Sequence, residues 1–142
     1  MALIGVHHLA LSVRDRDKSQ AFYEGILGFA AMMELEETGH DGASHRVLLL
    51  KHPDSTLVIG LHQHANNPGQ PFSEFATGMD HIALAVDTSD ALKAWERRLA
   101  DAGIEHSPIA PGQRPGATIL VFRDPDSIQL EFIHFPMTPT SP

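Results

Sequence analysis

The chain has 142 residues, 42% of them apolar and 20% charged, with 18 acidic against 10 basic side chains and a formal charge of −8. That length and composition suit a globular protein with a core of its own, and the acidic balance argues against nucleic acid or an anionic membrane as the main partner. With no cysteine, disulfides and thiolate metal sites are excluded, and no apolar run reaches the roughly 18 residues of a spanning helix.

The first predicted element is a strand over Val6–Val13, where apolar side chains alternate with small or polar ones. Met1 to Leu11 has no basic flank and does not read as a signal peptide, so a cytoplasmic protein is expected. A helix follows over about Lys18–Leu27, opened by Asp15 or Asp17 and closed by Gly28. Three strands come next, Ala30–Glu36, His45–Lys51 and Thr56–His62, the last two joined by a turn at Lys51-His52-Pro53-Asp54-Ser55. Residues 65–78, with Asn66-Asn67-Pro68-Gly69 and Gln70-Pro71, read as a linker.

The order then starts again. A strand over Asp80–Val86 leads to a helix over about Asp90–Ala102, opened by Ser89 or Asp90 and closed by Gly103. Ala91, Leu92, Trp95, Leu99 and Ala102 give that helix one apolar face. Strands at Glu105–Ile109, Ala117–Arg123 and Ile128–His134 complete the series, before a tail at 136–142 expected to be loose.

Landmarks shared by the halves show a duplication. His8-Leu9-Ala10-Leu11-Ser12-Val13 recurs as His81-Ile82-Ala83-Leu84-Ala85-Val86, an offset of 73, and Pro53-Asp54-Ser55 as Pro125-Asp126-Ser127, an offset of 72. Phe22 and Trp95 each follow their histidine by fourteen residues. The chain therefore parses as one βαβββ module over about 4–64 and a second over about 79–135, together forming a single α+β domain.

Side-chain alternation selects candidate functional groups from this scaffold. Leu9, Leu11 and Val13 should pack on the first helix, and Ile82, Leu84 and Val86 on the second. Ile128, Leu130 and Phe132 should do the same on the last strand. His8, His81 and Glu131 then lie on the faces away from the helices, beside the small residues Ala10, Ser12, Ala83 and Ala85. Two imidazoles and a carboxylate form a three-ligand metal set with open positions, and a carboxylate in an apolar strand is costly unless paired or metal-bound. His7 faces the other way.

These segments resemble the vicinal oxygen chelate superfamily, which includes glyoxalase I, bleomycin- and fosfomycin-resistance proteins, methylmalonyl-CoA epimerase and extradiol dioxygenases. The resemblance runs from about Val6 to His134. It rests on the His8–Val13 segment with Phe22-Tyr23 and Leu27-Gly28, on Gly78-Met79-Asp80-His81-Ile82-Ala83, and on Phe122-Arg123-Asp124-Pro125-Asp126 with Leu130-Glu131-Phe132. It implies two mixed sheets curled around a shared cavity, with one divalent ion (Fe, Mn, Zn or Ni) held by His8, His81 and Glu131.

The chain departs from the family in two places. Many members carry a fourth ligand, Glu or Gln, on the last strand of the first module; here Ile59 or Gly60 occupies that place, and neither binds metal. His62, two residues beyond Gly60 on the same face, is the candidate for a fourth ligand or a catalytic proton carrier, with His64 a weaker one. Ser127-Ile128 also stands where relatives often have Gly-Asn. The resemblance implies a metal-dependent lyase, isomerase or dioxygenase acting on a small oxygenated substrate, in a homodimer. The alternative is a metal-free drug-sequestering protein of the bleomycin-resistance type.

Overall fold

Two sheets of one topology organise the chain. The computed structural model describes residues 1–136, so the tail expected at 136–142 lies, beyond Pro136, outside the described residues. The chain divides into two units, Met1–Pro71 and a second from Phe72 onward. The first holds β1 (Leu9–Ser12), α1 (Arg16–Gly25), β2 (Ala30–Thr38), β3 (Ser44–Lys51) and β4 (Val58–His62). The second holds β5 (Ile82–Val86), α2 (Ser89–Asp101), β6 (Ala110–Pro111), β7 (Thr118–Arg123) and β8 (Gln129–His134). The strand orders β1-β4-β3-β2 and β5-β8-β7-β6 are equivalent, and in each the first and last strands pair in parallel. No helix among the described residues is long and apolar enough to cross a membrane.

Each core follows from alternation. In the first unit Leu11, Leu48, Leu50, Ile59 and Leu61 share one sheet face and are buried with Phe22 and Tyr23 of α1. In the second, Ile82, Leu120, Phe122, Leu130 and Phe132 do the same with Leu92 and Leu99 of α2. Trp95 stacks on Phe132 at 4.5 Å between ring centroids. Each fully buried leucine contributes about 1.5–3 kcal/mol of transfer free energy, so these faces hold the modules together.

The helix ends show what local chemistry decides. Asp15 caps α1, its carboxylate accepting the Lys18 N–H at 3.1 Å. The helix consequently starts at Arg16, two residues before the expected Lys18. In α2 the cap is neither Ser89 nor Asp90 but Thr88, whose hydroxyl accepts the Ala91 N–H at 3.1 Å. Gly28 and Gly103 follow the two helices with φ of +80° and +69°, a left-handed conformation that favours glycine.

Several strands are shorter than expected, for identifiable reasons. β1 begins at Leu9 rather than Val6, and β5 at Ile82 rather than Asp80, because their parallel ladders start only at Leu9–Ile59 and Ile82–Leu130. β4 begins at Val58, since Thr56 still belongs to the turn that His52 N–H closes onto Leu57 O. The strand expected at Glu105–Ile109 reduces to an isolated bridge at His106, and β6 forms later, at Ala110–Pro111. Pro108 has no N–H to offer a ladder, and the Ser107 hydroxyl accepts the Val121 N–H at 3.0 Å.

The β7–β8 turn departs from its counterpart in the first module. Buried Asp124 accepts the N–H groups of Asp126 and Ile128 at 2.9 and 2.8 Å, and Ser127 takes φ +68°. That conformation is uncommon for a residue other than glycine. The linker is tied to this corner by Phe72 N–H donating to Asp126 O and by Arg123 pairing with Glu74 at 2.6 Å.

Candidate functional site

The strand registers first resolve which residue of the first module matches Glu131. Ala10 pairs with Gly60 and Ala83 with Glu131. Since Ala10 and Ala83 are repeat equivalents, Gly60, and not Ile59, stands in the place of Glu131. His62, paired with Ser12, matches Ile133, paired with Ala85. Ala10, Ser12, Ala83 and Ala85 are all exposed, as side chains pointing away from the helices should be.

His8 and His81 each lie one residue before the first strand of their module instead of within it. In the second module His81 places Nδ1 2.6 Å from Oδ1 of Asp80. A carboxylate accepts, so in the neutral ring Nδ1 carries the proton and Nε2 is the lone-pair nitrogen. A carboxylate behind an imidazole is the arrangement that orients a histidine for metal binding. Glu131 projects from β8 on the face of Ala83, half-buried, and among the described residues its carboxylate has no hydrogen-bond or ion-pair partner. An unpaired carboxylate and an oriented imidazole fit the donor set that a divalent cation requires. In the first module His8 is exposed, with its Nδ1 2.9 Å from Nδ1 of His7.

His62 ends β4 with its side chain 14% exposed. A Cβ added at Gly60 would come within 3.1 Å of His62 Nε2 and 3.2 Å of Leu49 Cδ2. The imidazole thus folds back over the glycine, into the space a side chain at residue 60 would take. Its other nitrogen, Nδ1, lies 3.1 Å from Nε2 of His45 and 3.9 Å from the Glu37 carboxylate. Burial pushes the His62 imidazole below the usual histidine range; Glu37 opposes this, while His45, His64 and His8 act in the same direction as burial. A neutral ring at neutral pH follows.

Three of these groups carry no signal of their own in the sequence. His45 counted only as a strand end, but Val47 pairs with His62, which puts His45 on the same sheet face and one step along it. Its cross-strand neighbour Glu37 shares that face. Asp80 precedes β5, where the sequence alone predicts the start of a strand. His45 and Glu37 become visible only once the register is known, and Asp80 only once its carboxylate is found against the His81 ring.

A family model described as the Glyoxalase/Bleomycin resistance protein/Dioxygenase superfamily matches residues 5–132. The chain belongs to this superfamily. It is 34% identical to the Bacillus subtilis protein YwkD over 92% of this chain and 97% of that one. It is 28% identical to a lactoylglutathione lyase of Haemophilus influenzae, over 89% of each. Among solved structures, a glyoxylase/bleomycin resistance protein/dioxygenase domain from Frankia superposes with a TM-score of 0.80 at 32% identity, over 94% of this chain and 99% of that one. The paired βαβββ modules are thus the superfamily's fold.

Proposed function

We propose that this superfamily member is a divalent-metal-dependent enzyme acting on a small oxygenated substrate, with His8, His81 and Glu131 as the ion's ligands. The observation that carries the reading is the Asp80–His81 pair together with Glu131. One imidazole has its Nδ1 held by a carboxylate, and Glu131, without a partner among the described residues, stands beside Ala83 on the open face of the same module. The likeness to a lactoylglutathione lyase supports chemistry on a small oxygenated molecule. When bound, the ion would supply Lewis-acid stabilisation of charge developing on substrate oxygen.

The chain's own residues would do the remainder. Asp80 holds the His81 ring in one tautomer, and Glu131 provides negative charge to balance the cation. Gly60 provides no ligand where many relatives have one, and His62 stands over it. In this reading His62 Nε2 accepts and returns the substrate proton, while Nδ1 is steadied by His45. The exposed small residues Ala10, Ser12, Ala83 and Ala85 leave room for substrate on the open sheet faces. A homodimer belongs to the same reading. The outer strand β2 exposes Met32, Met33 and Leu35, and an uncovered strand edge invites a partner.

Elemental analysis of protein purified without chelator tests the proposal. Near-stoichiometric metal in the native protein, reduced in both His81→Ala and Glu131→Gln, is the expected result. Metal content unchanged by either substitution would sink it. Metal-free protein that binds a cationic drug would favour the sequestering alternative, with which the acidic balance of the chain is compatible.

A further inference from the structure

We propose that His45, His62 and His64 form a second cation site, confined to the first module and built from ligands other than His8, His81 and Glu131. One ring nitrogen from each of the three histidines lies within 4.8 Å of the others. His45 Nε2 and His62 Nδ1 are already 3.1 Å apart, and the His45 and His64 rings are 4.0 Å apart between centroids. With Zn–N bonds near 2.0–2.1 Å, nitrogens on a tetrahedral ion stand about 3.3 Å apart. Gathering this trio therefore takes small side-chain rotations and leaves the backbone in place.

The surroundings suit a cation. The Glu37 carboxylate lies 3.9 Å from His62 Nδ1 and is the nearest anionic partner for the charge. A cleft of about 550 Å³ in the same module has His45 and His64 in its lining, which leaves space for water or an exogenous ligand in an open coordination position. Arg16 and Arg46 also line it, but both engage Glu34, at 3.3 and 3.8 Å. Three imidazoles select a borderline ion, zinc, nickel or copper(II), over magnesium or calcium.

The site has a chemical consequence for His62. An ion on Nδ1 leaves Nε2 carrying the ring proton, so a loaded site turns His62 from proton acceptor into donor over Gly60. This consequence alone rests on the function proposed above.

Zinc titration of chelator-stripped protein, followed by calorimetry, tests the inference. The native protein should bind two equivalents, and the double variant His81→Ala/Glu131→Gln should keep one. His64→Gln and His45→Gln, introduced into that double variant, should each abolish the remaining equivalent. Loss of all binding in the double variant overturns the second site while leaving the first standing. Retention of the last equivalent after His45→Gln and His64→Gln overturns it too. A native protein binding one equivalent that is lost only with His64→Gln supports the triad and overturns the first ligand set. If a variant fails to fold, imidazole NMR signals of the native protein decide. Zinc must shift the resonances of His45, His62 and His64, and unchanged resonances overturn the site.

Discussion

The two modules share strand order, helix position and parallel closure, yet their open sheet faces differ in chemistry. The first presents Gly60 and His62 where the second presents Glu131 and Ile133, and it carries His45 and Glu37 further along the same face, whereas Val47 and Leu49 match Ile119 and Val121 as apolar positions. Their helix-packed faces remain alike, leucine-rich in the first and leucine- and phenylalanine-rich in the second. Packing against a helix constrains volume at every position, whereas the open face tolerates exchange of a carboxylate for a glycine or an isoleucine for a histidine. The duplication has kept the scaffold and let the exposed groups specialise.

The comparison can be broken most forcefully in the cores. Leu61→Ala and Leu130→Ala remove side chains that are 0% and 1% exposed, one in each module. Each should cost about 2–5 kcal/mol in urea denaturation. A loss well below that range in only one of them would show that the two helix-packed faces are not equivalent.

Smaller effects sharpen the contrast between the turns. Asp124→Ala leaves the N–H groups of Asp126 and Ile128 without their acceptor and should lower stability by about 1–3 kcal/mol. His52 at the matching corner accepts one longer bond, from Asp54 N–H at 3.2 Å. His52→Ala should therefore cost less than Asp124→Ala in the same melts.

The helix caps give the finest distinction. Thr88→Ala should cost about 0.5–2 kcal/mol. Asp15 titrates and Thr88 does not. The Lys18 amide holds the Asp15 carboxyl below the ordinary aspartate range. Its capping contribution is therefore complete above that range and is lost as pH falls through the depressed folded-state value. On acidification the Lys18 amide resonance should move with that titration, while the Ala91 amide, bonded to a hydroxyl, should show no matching step.

Much of this architecture was legible in the chain. The His8–Val13 and His81–Val86 repeats, the two helix-closing glycines and the strand alternation sufficed for the module order and for both helix-packed faces. Caps and strand ends were less legible, because Thr88 competes with Ser89 and Asp90 as a cap by geometry and not by residue type. The Glu105–Ile109 strand failed on Pro108 and on the Ser107 hydroxyl, which serves the backbone of β7. His45 beside His62 was hidden because cross-strand register is a property of two segments at once. Asp80 behind His81 was hidden because two adjacent polar residues carry no periodicity.

The place of β4 has a consequence for how the protein is made. In each sheet the final strand is an inner one, inserted between the first and third, and among the described residues β1 pairs with β4 alone. A nascent chain leaving the ribosome can pair β2 with β3 early, but β1 must wait until Val58–His62 has emerged. The residues that finish the first sheet, His62 and soon after it His64, are therefore also the ones whose arrival assembles its imidazole cluster, so acquisition of the cluster and completion of the sheet fall in one step of synthesis.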